Sequence, residues 1–526
     1  MSVGNNAGPI AHRGSPDLNR DRRSQEFNQA AESVSDVLVI GGGITGVGVA
    51  LDAASRGLSV TLVEAKDLAY GTSRWSSKLV HGGLRYLAHG DFAVAWESAR
   101  ERALLMGTIA PHLIRPLPHV LPTLTTERRG QEHLVRAGLR GSDLLRQAAR
   151  TPAGLLANSR RLSTPQMQRI FPTLDPKVVR AGSGFWDGQL IDDARLVIAV
   201  ARTAASFGAR ILTRVQARSV DGRHVAVRDQ LSGETTIFTA RQVIVAAGVW
   251  SGNWADDLSI RLSRGTHVIL PPAVLGNPRA ALTVAVPGEK SRYVFALPTI
   301  DGSIIAGLTD SQAPAASADQ TSPPVDEQLW VLEQLSAALR TPLRMTDVIG
   351  AYSGYRPLVD SGKESGSTAD ISRRHLVHHR KDGVIVITGG KLTTYRRMAA
   401  DALNASSIAA GRPCVTSSIP LIGACGTDGF LSTSARLISH YGDEAGRIEH
   451  DARTDPVLAG TFTAASQVWR AEVAHAIRRE GALTVDDIVA RRTRLAVESR
   501  FADARAQVSQ LAVSLDSHMI TVEVDQ

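Results

Sequence analysis

The stretch Asp36 to Glu64, DVLVIGGGITGVGVALDAASRGLSVTLVE, constrains this chain more than any other. An apolar run, Val37 to Ile40, meets Gly41, Gly43 and Gly46 in a G-x-G-x-x-G array. A helix-compatible segment then leads to a second apolar run, Val60 to Val63, closed by Glu64. Strand, glycine turn, helix, strand and acidic end together form the dinucleotide fingerprint in its required setting. Gly41 permits the tight turn, Gly43 lets the backbone approach a pyrophosphate, and Gly46 lets helix and strand pack closely. The helix N-terminus offers N–H groups and a positive dipole end to the phosphates. Glu64 is placed to accept hydrogen bonds from a ribose.

At 526 residues the chain buries about two or three cores, so one nucleotide domain does not account for it. Cys414 and Cys425 make neither a CxxC pair nor a disulfide framework, which points to a reducing, cytoplasmic location. The most apolar stretch, Val37 to Leu51, is the fingerprint itself, and no segment reads as a membrane span. Arg22 and Arg23 are followed by polar residues with no apolar h-region, so no export signal is expected. The net charge of +8 suits nucleic acid, an anionic membrane surface or an acidic small substrate. Basic residues come in scattered pairs (Arg128–Arg129, Arg160–Arg161, Arg373–Arg374) and aromatics reach only 5%, so no nucleic-acid partner is expected.

Residues 1–34 are polar and aperiodic and read as a disordered arm. Three later apolar runs, Gln242 to Gly248, Ser303 to Gly307 and Gly383 to Thr388, feed glycine-rich turns and suit a parallel sheet covered on both faces. From Ser466 to Leu515 the pattern is almost continuously helical, with a start at Thr484 followed by Asp486 and Asp487. Downstream of the fingerprint, Tyr70 to Phe92 reads YGTSRWSSKLVHGGLRYLAHGDF. Its Thr72, Ser73, Ser76 and Ser77, beside Lys78, His81 and paired glycines, can supply short donors to phosphate and ribityl oxygens.

Five motifs in register, GGGITGVGVALDAASRGLSVTLVE, SSKLVHGGLRYL, RGTHVILP, YSGYRPL and GGKLTTYR, together closely resemble the FAD-dependent glycerol-3-phosphate dehydrogenases. The resemblance runs over about residues 36–500 and includes VDDIVARRTRLA. It implies an α/β fold: a glycine-oxidase-type, Rossmann-like FAD-binding domain with an α+β substrate domain and a helical C-terminal cap. The implied division is 35–115, 181–255 and 348–412 for FAD, 116–180 and 256–347 for substrate, and 413–526 for the cap.

The resemblance implies oxidation of sn-glycerol 3-phosphate to dihydroxyacetone phosphate by hydride transfer from C2 to flavin N5. Electrons would pass to a membrane quinone. FAD contacts are expected from Gly41, Gly43, Gly46, Glu64, Thr72, Ser73, Ser77, Lys78, Leu79, His81, Gly82, Gly248, Gly307, Gly390, Leu392 and Thr393. Arg85, Tyr86, Arg356, Arg373 and Lys391 form the expected substrate set, since a phosphate dianion needs several cations. A base near neutral pKa would take the hydroxyl proton; His267 and His81 are the candidates, with Arg356 and Lys391 stabilising developing negative charge.

Two details depart from the family pattern: Val249 follows the AAG turn where many members have proline, and Trp75 interrupts the small polar run. His375, His378 and His379 could suggest a metal, but a strand would turn His378 away from the other two, so no metal is expected. An oxidase passing electrons to oxygen is the near alternative, although the extra segment of such enzymes is not seen. A non-catalytic nucleotide-binding regulator is the distant one, against which Arg85, Arg356 and Lys391 are all present. The charge and the need to reach a lipid-soluble quinone suggest peripheral, salt-sensitive attachment to the anionic inner face of the cell membrane. A homodimer is left open.

Overall fold

The computed structural model describes residues 14–83, 90–127, 130–289, 292–314, 319–359, 374–424, 434–463 and 466–521. Eighteen strands within them form two sheets. The first contains β1 (Val34–Ile40), β2 (Val60–Glu64), β7 (Arg210–Thr213), β8 (Val215–Asp221), β9 (His224–Asp229), β10 (Thr235–Val245), β17 (His375–His379) and β18 (Ile385–Gly389). The second contains β3 (Leu79–Val80), β4 (Ile114–Leu124), β5 (Arg160–Leu162), β6 (Val179–Leu190), β11 (Ile260–Leu270), β12 (Ala281–Ala285), β13 (Tyr293–Pro298), β14 (Ile304–Gly307), β15 (Ser311–Ala313) and β16 (Gly350–Val359).

The first sheet has the order β17-β18-β10-β1-β2-β7, with β9 on β10 and β8 on β9. β1 lies parallel to both β2 and β10, β10 parallel to β18, and β2 parallel to β7. Central strands covered on both faces carry apolar residues at every position, which is why Val37 to Ile40 is buried throughout. Helix α2 (Ile44–Ser55) covers one face, packed between the helices Asp193–Ser206 and Tyr395–Asn404. Gly48 sets that spacing, since a Cβ there would lie 2.8 Å from the Tyr395 ring.

The second sheet has the order β15-β11-β14-β13-β12-β4-β6-β3, with β16 beside β11 and β5 beside β6. All its pairings are antiparallel except β12–β4. One face packs on the helix Val325–Ser336 through Val268, Ala296, Val331 and Leu335. The other is the floor of a large cavity.

The structure differs from the sequence expectations in several places. Within the expected disordered arm, Arg20–Glu32 instead forms helix α1, which lies on the first sheet. The Asn19 side chain caps it, and Arg23 turns inward to Asp229 at 2.6 Å. Phe27 sits edge-on to Phe238, so one apolar face hides within a polar composition. Ser303 to Gly307 forms β14 in an antiparallel setting, whereas the other two runs do join the parallel sheet. The expected boundaries also shift: residues 79–80, 114–124, 179–190 and 350–359 all belong to the second sheet.

The C-terminal region has its own core, built on the helices Ala435–Tyr441, Ala445–Thr454, Arg470–Arg479 and Ala504–Leu515. Thr484 caps as expected, its hydroxyl accepting from the Asp487 N–H. The helical run then breaks into short turns between Ile488 and Phe501 rather than continuing. Arg491 and Arg492 reach across to Asp67, both at 2.6 Å, and tie this domain to the end of β2. Cys414 is a free thiol, and Cys425 lies outside the described residues.

Candidate active site

A cavity of about 1880 Å³ lies between the two sheets. A single small-ligand pocket is typically ~300–1,000 Å³, so there is room for a large cofactor and more.

Its first wall is the glycine turn. Gly41 has φ +115, and a Cβ there would stand 2.5 Å from the Ala246 carbonyl. A Cβ on Gly46 would stand 1.9 Å from the Gly41 carbonyl, so only glycine lets the helix close on the strand. Gly43 opens α2 and faces the Ser73 hydroxyl, which accepts from the Ile44 N–H at 2.9 Å. Glu64 accepts from the backbone N–H of Gly42 at 2.6 Å and of Lys66 at 2.8 Å. Burial raises its pKa, but a carboxylate has about four acceptor positions, leaving two for ribose hydroxyls. Thr72, Ser73, Ser77, Leu79, Gly248, Gly390, Leu392 and Thr393 line the same cavity. The Thr72 hydroxyl also donates to the Tyr355 carbonyl at 2.6 Å and so fixes its loop against β16.

Three residues expected at the cofactor do not line this cavity and have packing roles of their own. Lys78 points into the protein, its Nζ 2.5 Å from Asp193 Oδ1. That ammonium is buried between Asp192 and Asp193 and holds the serine loop to the helix Asp193–Ser206. Gly82 is needed for close packing, since a Cβ would lie 2.1 Å from the Arg102 guanidinium. Gly307 gives His267 its room: a Cβ would lie 2.6 Å from that ring.

The second wall brings His267, Arg356 and Lys391 to the cavity. His267 and Arg356 stand on neighbouring strands, β11 and β16. The His267 ring stacks on Tyr352 at 4.7 Å, and Tyr352 stacks in turn on Trp75 at 5.2 Å. His267 Nε2 is 2.9 Å from the Ser77 hydroxyl. Burial, then the Arg356 and Lys78 cations, push the His267 pKa down to about 3, far below the near-neutral value sought for a base. Arg356 donates to Ser263 at 3.1 Å, and Lys391 to Ser98 at 3.0 Å. Behind His267, the hydroxyls of Thr266 and Thr309 both donate to Glu327, which fixes the strand register at the site.

His81 is also on the cavity, half exposed, with Nδ1 3.6 Å from Asp187. Arg85, Tyr86 and Arg373 lie outside the described residues. His375 pairs with Asp401 and His378 with Asp257, and no metal-binding cluster occurs among the described residues. Sequence reasoning missed Tyr352, Asp187, Asp193 and His119. Tyr352 stood inside a recognised motif, and Asp193 follows a helix-capping Asp192, whereas nothing local distinguishes His119 or Asp187.

This fold and glycine cradle define an FAD-dependent oxidoreductase, and residues 36–396 match the family model described as "FAD dependent oxidoreductase". Residues 414–515 match the "C-terminal domain of alpha-glycerophosphate oxidase". The chain is 47% identical over 499 residues to "Glycerol-3-phosphate dehydrogenase 1" of Mycobacterium tuberculosis, covering 92% of this chain and 96% of that protein. It is 33% identical over 557 residues to a mitochondrial glycerol-3-phosphate dehydrogenase of Arabidopsis thaliana, covering 94% and 85%. The fold matches the Bacillus halodurans glycerol-3-phosphate dehydrogenase complexed with FAD, with a TM-score of 0.71, 24% identity and coverage of 96% and 94%. The chain belongs to the FAD-dependent glycerol-3-phosphate dehydrogenase family. Its cofactor is FAD, and the turn at Gly41, Gly43 and Gly46, with acceptor capacity left on Glu64, fits that group.

Proposed function

We propose that this protein oxidises sn-glycerol 3-phosphate to dihydroxyacetone phosphate and passes the electrons to a membrane quinone. The observation that carries this reading is the meeting of His267, Arg356 and Lys391 on the cavity that the glycine turn also lines. FAD, when bound, supplies the hydride acceptor. The protein groups bind the substrate, orient it and manage its proton.

Arg356 offers a planar fork and Lys391 a point charge to the phosphate and to the oxygen that gains charge as C2 is oxidised. Arg85, Tyr86 and Arg373 are proposed to complete this set. With its pKa near 3, His267 is neutral at physiological pH and can receive the hydroxyl proton. A bound phosphate dianion would offset the repulsion from Arg356 and raise the basicity of the ring. Its stack on Tyr352 and the space left by Gly307 hold the imidazole in one orientation. His81 is retained as the alternative proton acceptor.

A quinone acceptor is supported by the outer rim of the cavity. Phe92 and Leu134 line it while remaining 68% and 76% exposed. The helix Gln131–Ala148 also exposes Leu144 and, between the two leucines, Arg140. An apolar face with basic residues suits peripheral binding to anionic lipid at the inner face of the cell membrane. No helix among the described residues is long and apolar enough to cross a membrane.

The test is product formation by the flavin-loaded protein supplied with sn-glycerol 3-phosphate and a short-chain quinone. Stoichiometric dihydroxyacetone phosphate and quinol are expected. Product formed only with oxygen would make the protein an oxidase, and no product with either acceptor would refute the activity.

A further inference from the structure

The His267 ring has no nitrogen left open to the cavity. It is 2% exposed, its Nδ1 is buried, and its Nε2 meets the Ser77 hydroxyl at 2.9 Å. A Cβ on Gly307 would stand 2.6 Å from Cδ2, so that edge of the ring lies against β14. Tyr352 covers one face in a near-parallel stack, with 17° between the ring planes. A proton that reaches this imidazole from the cavity therefore comes by way of the Ser77 oxygen.

Ser77 is held by the residues on either side of it. The Ser76 N–H and hydroxyl both donate to Asp193 Oδ2 at 2.8 Å, and the Lys78 ammonium pairs with the same carboxylate. Lys78 has φ +53, a left-handed backbone that a residue with a long side chain adopts only where its surroundings hold it there. The Tyr352 hydroxyl donates to the Ser76 carbonyl at 2.9 Å, and Trp75 stacks on the Tyr352 ring. Three consecutive residues thus set the imidazole: Trp75 and Ser76 hold the tyrosine it stacks on, and Ser77 meets its Nε2. The Ser77 side chain is half-buried and lines the cavity, and among the described residues its hydroxyl bonds only His267.

A serine hydroxyl carries one proton and two lone pairs. Donating to Nε2 leaves both lone pairs for a second hydroxyl in the cavity, so Ser77 can accept one proton as it gives up another. The serine oxygen need not carry a full charge in such an exchange, which suits a group whose alkoxide is far too basic to form near neutral pH. With its pKa near 3, the ring is neutral at physiological pH and free to take the proton that Ser77 passes on.

We propose that Ser77 is a catalytic residue that relays the C2 hydroxyl proton of the substrate to His267. This rests on the reading of His267 as proton acceptor given above. The O–H bond at C2 breaks and its proton joins Ser77 Oγ, while the Ser77 proton joins His267 Nε2. The C2 hydrogen leaves with its electron pair for the bound flavin. C2 becomes a carbonyl carbon, Ser77 ends as it began, and the imidazole gains one proton.

The test follows flavin reduction without oxygen after the flavin-loaded protein is mixed with sn-glycerol 3-phosphate. Ser77→Ala is expected to slow reduction by about 10²-fold, the low end for a proton-transfer group, because a water can partly stand in for the hydroxyl. Ser77→Thr, which keeps the hydroxyl, is expected to recover most of the rate. Flavin content and the affinity for inorganic phosphate, both read by flavin absorbance, should be unchanged in the two variants. Ser77→Ala combined with His267→Asn is expected to be no slower than His267→Asn alone, since a single proton path is lost only once. Ser77→Ala reducing at the unmodified rate while His267→Asn is slow would overturn the relay, the proton then reaching the imidazole directly. A rate lost together with flavin content or phosphate affinity, or additive losses in the double variant, would overturn it too. Unchanged reduction in His267→Asn would instead refute the reading of His267 on which the relay rests.

Discussion

Replacing Lys78 with methionine separates two roles that its sequence context does not distinguish. In the structure Nζ lies 2.5 Å from Asp193 Oδ1, with Lys78 6% exposed and Asp193 fully buried. Removing one partner of a buried ion pair typically costs ~3–5 kcal/mol, because the other charge is left without compensation. Asp193 would keep the Ser76 N–H and hydroxyl, both at 2.8 Å, which places the loss nearer ~3 kcal/mol. The assay is urea unfolding of flavin-free Lys78→Met beside a flavin-binding titration. The expected result is a clearly lower midpoint, with flavin affinity little changed in the folded protein. Adding Asp193→Asn should recover part of the loss, since the stranded carboxylate is then gone. An unchanged midpoint with lost flavin affinity would show that Lys78 is a cofactor ligand after all.

Gly46→Ala should abolish stable flavin binding, because its Cβ falls 1.9 Å from the Gly41 carbonyl and helix α2 must move off the turn; absorbance of the purified protein checks this. His267→Asn should lower kcat by ~10²–10⁴ while leaving flavin content intact, as steady-state rates and absorbance would show. Asp67, Asp187 and Asp301 are held below the usual carboxylate range by Arg492 with Arg491, by Arg102 with His81, and by His440 with Arg436, respectively. Folded pKa values lower than the unfolded ~3.9 stabilise the protein above that pH, so stability should fall as pH drops from ~5. Thermal midpoints measured from pH 7 to pH 3 would reveal this, and a flat profile would contradict it. Leu134→Glu with Leu144→Glu should weaken binding to anionic vesicles in flotation assays, and further weakening by salt is expected.

The fingerprint was fully legible because its chemistry is local: turn, helix start and acidic end all lie between Asp36 and Glu64. His267, Arg356 and Lys391 were legible through their motifs, although only the pairing of β11 with β16 puts the first two on adjacent strands, His267 opposite Tyr352 and Arg356 opposite Ser263. Motif context does not tell which way the Lys78 side chain points. Lys78 faces a helix-start aspartate more than a hundred residues away in sequence, as the Lys78–Asp193 pair shows. Gly307, expected at the cofactor, lies against the His267 ring. Helix α1 was lost in a polar composition, its burial resting on Arg23, Phe27 and Ala30 along one face. His119 had no sequence signal at all. Its setting comes from register across five strands, which depends on pairings between distant segments.

The most direct test of the central claim is an anaerobic stopped-flow experiment on the flavin-loaded protein. It is first mixed with sn-glycerol 3-phosphate, then with either a short-chain quinone or oxygen, while flavin absorbance is followed. Bleaching by the substrate, rapid recovery of colour with quinone and slow recovery with oxygen are expected. Absence of bleaching, or recovery faster with oxygen than with quinone, would contradict that claim.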